Sequence, residues 1–208
     1  MVRLDQILAW LNRLKDVYAE NKSYLTDLDS AIGDADHGIN LTRGFNAVAE
    51  ALAQQSPQDI GTAFKTTSMT LIRTVGGAAG PLYGTFFLRA SVAGAGKTEL
   101  SAEEVVSMFD AGVQGVMQRG KAEPEDKTMV DAWLPALEAM RKARTDGCSV
   151  AEMMQHATAA AEAGMKATIP LIARKGRAGY LGERSKGHQD PGATSTQLML
   201  QAAAETWG

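Results

Sequence analysis

The sequence predicts an all-α protein, and three features carry that prediction. Apolar residues recur at helical spacing through almost the whole chain. Alternating β-branched runs, the mark of half-buried strands, are absent. Alanine, the best helix former, is abundant throughout.

The first helix reads from Leu4, Ile7, Leu8, Leu11, Leu14 and Tyr18, which share one face and leave Arg3, Lys15 and Glu20 to water. Further helices read at about 39–54, 58–74, 81–93, 102–118, 130–145, 150–168 and 193–206. Several carry start signals. Ser101 with Glu104, and Ser149 with Glu152, fit capping boxes, in which the hydroxyl takes an orphan amide and the acid reaches back. Asp190-Pro191 places a capping carboxylate before a proline at the first helical position, where a missing N–H costs nothing. Pro135, inside DAWLPALEAM, is expected to start, bend or shift its helix. Eight helices on mostly short connections predict an antiparallel bundle or barrel, and no repeat or low-complexity linker divides residues 1–208, so one domain is expected.

Composition excludes several function classes. With 45% apolar and 22% charged residues the chain is an ordinary globular one. A net charge of −3 gives no electrostatic reason to expect nucleic acid or an anionic membrane as partner. A single cysteine, Cys148, rules out an intrachain disulfide and a Cys-rich zinc site, and fits a reducing cytoplasm. The amphipathic N-terminus is neither a signal peptide nor a membrane span.

Two stretches are expected to be loops of a functional kind. In LDSAIGDADHGIN (28–40), Asp29, Asp34 and Asp36 stand beside His37 with Gly33 and Gly38 close by. Two carboxylates 4 Å apart repel by about 4 kcal/mol at an effective dielectric near 20, so a fold that gathers three needs a cation. Hard oxygens select Mg²⁺ or Ca²⁺, the EF-hand spacing is missing, and Mg²⁺ commonly completes its shell with phosphate oxygens; the competing reading is a solvated acidic turn across 26–38. The second stretch, 169–192, is long and basic: Arg174, Lys175, Arg177, Arg184 and Lys186 suit phosphate or plain solvent, and Leu171, Ile172 and Tyr180 predict order. Between the two, RTVGGAAGPLYGTFF (73–87) reads either as a glycine turn feeding a helix N-terminus, a phosphate-binding arrangement, or as close helix packing. RGKAEPEDKTM (119–129) is a further irregular segment. SVAGAGKT (91–98) imitates a phosphate loop but has Ser91 where glycine is required, and GVMQRGKA (115–122) ends in Ala122 without a hydroxyl. His156, mid-helix among alanines, reads as structural, and no Ser-His-Asp or Cys-His arrangement stands out.

Taken together, LDSAIGDADHGIN, TVGGAAGPLYGTFF, RGKAEPEDKTMVDAW and ARKGRAGYLGERSKGHQDPGATS, in this order and spacing, resemble the nucleotide-binding L subunits of dihydroxyacetone kinases. That family is related to the C-terminal domain of the one-chain ATP-dependent kinases. The resemblance implies a barrel of eight antiparallel helices with the nucleotide at one end. It implies that Asp29, Asp34 and Asp36 hold two Mg²⁺ ions against the phosphates. It further implies nucleotide contacts from His37, Gly38, Ile39 and Asn40, from Gly77, Ala78 and Ala79, from Gly120, Met129 and Arg177, and from Asp190, Pro191 and Gly192. One departure is Glu125, where the family often has glycine.

The activity implied is that of the ADP-binding subunit of a phosphoenolpyruvate-dependent dihydroxyacetone phosphotransferase. ADP would stay bound and be rephosphorylated in place by a phosphoryl-carrier M subunit, with dihydroxyacetone held covalently on a histidine of a K subunit. No residue of this chain need act as nucleophile, and self-association is open. The alternatives are the nucleotide subunit of an ATP-dependent kinase, a non-catalytic nucleotide-sensing module, and a helical Mg²⁺-dependent hydrolase.

Overall fold

The computed structural model describes residues 1–208. Nine α-helices are present: α1 (Leu4–Glu20), α2 (Lys22–Ile32), α3 (His37–Gln55), α4 (Ile60–Thr74), α5 (Ala79–Ala93), α6 (Ala102–Gly120), α7 (Val130–Thr145), α8 (Val150–Ala167) and α9 (Pro191–Thr206). Eight of them are the expected ones. The ninth, α2, corrects the reading of 26–38 as a loop: only 33–36 is irregular, and Asp29 stands in the last turn of a helix. A 3₁₀ segment, Arg177–Ser185, adds regular structure to the basic loop. Strands β1 (Val2–Arg3) and β2 (Glu99–Leu100) pair antiparallel, with Val2 opposite Leu100.

Each helix from α3 to α9 packs on the next, and α1 closes the ring between α3 and α9, while α2 lies outside it against α3. The ring thus comprises the eight expected helices. Its interior is solid. Trp10 packs edge-on against Trp207 with ring centroids 5.0 Å apart, and Phe86 stacks on Trp133 at 4.7 Å. Both geometries are favourable for aromatic pairs beyond the area they bury. These rings belong to one continuous core of 50 buried residues, so no channel runs through the barrel.

The start signals act as expected. Ser101 and Ser149 accept from the amides of Glu104 and Glu152, and both acids bond back. The Asp190 side chain accepts from Ala193 N at 2.7 Å, with Pro191 in the first turn. Pro135 lies inside α7, so the Asp131 carbonyl lacks its usual helical donor. Gly164 of α8 packs against that carbonyl so closely that a Cβ there would collide with it. SVAGAGKT holds the end of α5 and a turn before β2, which excludes a strand–loop–helix phosphate site.

Antiparallel alternation has a direct consequence for function. Helices α3, α5, α7 and α9 all begin at the same end of the ring, where the 33–36, 75–78, 121–129 and 168–190 connections meet.

Candidate nucleotide and metal site

A cavity of about 440 Å³ opens among these four connections. Its wall includes the first residue of each of the four helices: His37, Ala79, Val130 and Pro191. A helix N-terminus presents unpaired amides and the equivalent of about half a positive charge. Four of them around one cavity favour a polyanion.

The acidic residues supply the complement. One carboxylate oxygen from each of Asp29, Asp34 and Asp36 lies within 4.8 Å of the others. Asp29 is buried at the end of α2, and its Oδ2 accepts from the amides of Asp36 and His37 at 2.9 and 3.2 Å, which ties α2 to the start of α3. Gly33 is required here, because a Cβ would strike Asp29 Oδ1. Gly38 is required for packing, because its Cβ would strike the Lys22 carbonyl of α2. Asp34 is more exposed and pairs with Arg177, Nε to Oδ2 at 2.9 Å. Three hard anionic oxygens at this separation fit Mg²⁺ and offer nothing to a thiophilic metal.

His37 turns its ring inward, with Nε2 2.9 Å from Ser195 Oγ. Burial pushes its basicity down, partly offset by the charges of Asp29 and Asp36, so the ring favours its neutral form. Asn40 lies one turn along α3, its Oδ1 accepting from Arg43 at 2.6 Å and its side chain against the backbone of Gly76. Beside it, Gly77 takes φ +64°, a left-handed conformation that opens the turn before α5. Gly120 ends α6, and Met129 stands immediately before α7.

Of the residues expected to contact nucleotide, His37, Asn40, Gly77, Ala78, Ala79, Gly120, Met129, Arg177, Asp190, Pro191 and Gly192 line the cavity together with the three aspartates. Gly38 and Ile39 do not: Gly38 is buried against α2, and Ile39 is 43% exposed on the outer face of α3. In the basic loop only Lys175 and Arg177 reach the cavity, while Arg174, Arg184 and Lys186 face solvent. Tyr180 is 90% exposed, so it does not order the loop. The loop is held by Ala173 and Ala178 packing on Ile32, and by Ser185 Oγ accepting from Ala173 N at 2.8 Å. His156 is exposed, which corrects its reading as a structural residue.

Two basic residues of the lining were not foreseen. Arg119 stands in the last turn of α6 at the cavity edge. Lys127 is 1% exposed, and its Nζ donates to the carbonyls of Thr168 and Leu171 at 2.8 and 3.1 Å, and more distantly to Ile169 at 3.4 Å. It thereby caps the C-terminal end of α8. Glu125 and Lys127 take φ +66° and +61°, so the 123–129 turn holds two left-handed side-chain-bearing residues. Glu125 thus takes a conformation that glycine adopts at no steric cost, which fits the expectation of glycine at this position.

Asp190 is buried at the cavity wall, and its amide donates to Thr168 Oγ1 at 3.0 Å. Burial raises its carboxyl to about 7, with Asp131 adding to the rise and the Ala193 amide and Lys127 opposing it. The folded protein therefore holds this proton up to about pH 7, whereas the unfolded chain releases it near 3.8. Stability from Asp190 is complete below the lower value and is lost as pH rises to the upper one. Without ligand, Asp190→Asn is expected to gain stability over the parent across this interval, by roughly 2–4 kcal/mol at pH 8. Urea midpoints measured at pH 4, 6 and 8 check it; a constant difference between the two proteins contradicts it.

The model of the DAK2 domain matches residues 31–205, which contain the whole cavity wall except Asp29. The chain belongs to the DAK2-domain family. Among its relatives, the PEP-dependent dihydroxyacetone kinase, ADP-binding subunit DhaL, of Escherichia coli is 51% identical over 199 residues, covering 96% of this chain and 95% of that one. PEP-dependent dihydroxyacetone kinase 1, ADP-binding subunit DhaL, of Listeria innocua is 43% identical over 202 residues, covering 97% of this chain and 96% of that one. Among solved structures, the dihydroxyacetone kinase of C. freundii in its native form superposes with a TM-score of 0.74 at 24% identity over 96% of this chain, which establishes a shared fold. Its complex with AMP-PNP and Mg²⁺ superposes at 0.71, also at 24% identity over 96% of this chain. The chain spans about a third of the length of those two kinase chains, 34% and 33%.

Proposed function

We propose that this protein is the ADP-binding subunit of a phosphoenolpyruvate-dependent dihydroxyacetone kinase. The observation that carries the reading is the placement of the carboxylates of Asp29, Asp34 and Asp36 at a cavity ringed by four helix N-termini. Carboxylates and amides at one cavity satisfy different parts of one ligand, the first its cations and the second its phosphates. DhaL relatives that match the chain nearly end to end supply the donor and the acceptor.

Asp29, Asp34 and Asp36 would hold two Mg²⁺ ions, whose charge would offset that of the phosphates. Amides at the starts of α3, α5 and α9 orient the phosphates. Arg177 and Lys175 stand at the rim, where Arg177 exchanges its Asp34 partner for a phosphate oxygen. Gly77, where a Cβ would meet no protein atom, keeps the wall thin enough for close approach, while Gly192 leaves room for Asp190 and Met129 behind it. Nothing in the lining is arranged as a nucleophile with its base, so the chain positions and neutralises, and the substrate is held by a partner. That partner is the dihydroxyacetone-binding K subunit, and the donor is the phosphoryl-carrying M subunit; both act at the open end of the barrel, in the cytoplasm. No helix of this chain is long and apolar enough to cross a membrane.

Gel filtration of the Mg-ADP-loaded protein followed by reconstitution with K and M subunits tests the reading. ADP is expected to survive the column and to support transfer from the carrier without release. Free exchange with ATP in bulk supports an ATP-dependent kinase subunit instead, and no transfer despite bound Mg-ADP supports a sensing module.

A further inference from the structure

Ser195 of α9 is fully buried and lies just behind the cavity wall. Its Oγ stands 2.7 Å from the Tyr83 hydroxyl, 2.9 Å from His37 Nε2 and 3.0 Å from the Gly192 carbonyl. A hydroxyl carries one hydrogen and two lone pairs. The Gly192 carbonyl can only accept. All three contacts are therefore hydrogen bonds in a single arrangement: Ser195 donates to Gly192 and accepts from Tyr83 O–H and from His37 Nε2–H. The surroundings are rigid, since Tyr18 donates to the Ser195 carbonyl at 2.9 Å and the Tyr83 hydroxyl lies 3.2 Å from Thr196 Oγ1. In so buried a place an unmade bond costs more than a made one gains, so the fully bonded arrangement prevails.

From this we infer that Ser195 is a positioning residue for the nucleotide site: it holds the His37 ring as the Nε2–H tautomer and leaves Nδ1 as a bare acceptor for an O–H of the ligand. The bond made by one ring nitrogen decides where the imidazole proton resides. Nδ1 has no hydrogen-bond partner in the protein, and His37 lines the cavity. A ribose hydroxyl and a metal-held water offer the same donor chemistry. The single hydrogen of Ser195 also fixes the Gly192 carbonyl, so one side chain couples the acidic wall to the turn before α9. The identity of the ligand rests on the function proposed above; the tautomer does not.

The test is ¹⁵N NMR of the histidine-labelled protein at pH 8.5, where the ring is neutral, with His37→Gln to assign its signals among the three histidines. The ligand-free protein is expected to show a protonated Nε2 and a bare Nδ1. A change at Nδ1 on adding Mg²⁺ alone identifies a metal-held water as the donor; a change only with ADP identifies a nucleotide hydroxyl. Ser195→Ala is expected to mix the tautomers and to weaken Mg-ADP binding about five- to tenfold, the ratio one net hydrogen bond carries. A protonated Nδ1 in the parent protein overturns the inference without recourse to any variant. So does a Ser195→Ala protein with unchanged tautomer and affinity, or an Nδ1 signal indifferent to both ligands in a protein that binds them. If the parent shows the Nε2–H form but binds no nucleotide, the functional proposal fails and the hold of Ser195 on the ring stands.

Discussion

Asp36→Ala is expected to weaken Mg-dependent ADP binding by about 100-fold or more, above the 10–100-fold that losing an outer-shell partner costs a metal site. Asp36 is the informative member of the trio because its carboxylate accepts no hydrogen bond from the protein, so truncation orphans no buried donor. Asp29 is not equivalent. Its Oδ2 holds the amides of Asp36 and His37, and removing it also loosens the start of α3. Asp34 is already paired with Arg177, so removing it also frees a guanidinium. Calorimetry with and without Mg²⁺ measures the effect, and an unchanged circular dichroism spectrum excludes unfolding as its cause. Unchanged affinity removes Asp36 from the metal site.

Lys127→Met is expected to destabilise the protein by about 3 kcal/mol, since an ammonium bonded to carbonyls contributes roughly 1.5–3 kcal/mol per good bond and relief of the buried charge offsets part of the loss. For a domain of this size that corresponds to a fall in melting temperature of about 10 °C. Methionine keeps the stem but leaves the carbonyls of Thr168 and Leu171 without their donor. The damage is directed at the site: Thr168 Oγ1 accepts from the Asp190 amide, and Asp190 starts α9 at the cavity wall. Hydrogen exchange is therefore expected to speed up first across 168–192. Thermal melts and exchange mapping check both parts, and a melting temperature within a degree or two of the parent contradicts them.

How far the sequence carries a reader follows from what each residue does in the fold. Leu4, Ile7, Leu11 and Leu14 announce α1 because a ring helix buries one continuous stripe. Helix α2 escaped the periodicity because it lies outside the ring and buries only Leu25, Asp29 and Ile32. Its serine and aspartates resemble a loop for the same reason that they serve the cavity. That the acidic trio gathers was legible in its spacing, since one oxygen from each carboxylate comes within 4.8 Å of the others. Gly33 and Gly38 each exclude a Cβ, one for Asp29 and the other for the Lys22 carbonyl of α2. Lys127 and Arg119 were not legible: lysine and arginine are ordinarily surface residues, and only the closed fold buries Lys127 and brings the exposed Arg119 to the cavity edge. Tyr180 shows the converse, an aromatic that predicts packing and stands 90% exposed. Local pattern determines which helices form; the convergence of four helix starts on one cavity is a property of the closed ring.

Native mass spectrometry of the protein with ADP, in the presence of Mg²⁺ and then of a chelator, tests the central claim most directly. One ADP with two Mg²⁺ per chain, lost together when the metal is withdrawn, is the predicted result. ADP bound equally well in the chelator, or bound with no metal at all, would show that the three aspartates do not hold the nucleotide's metal and would contradict the account.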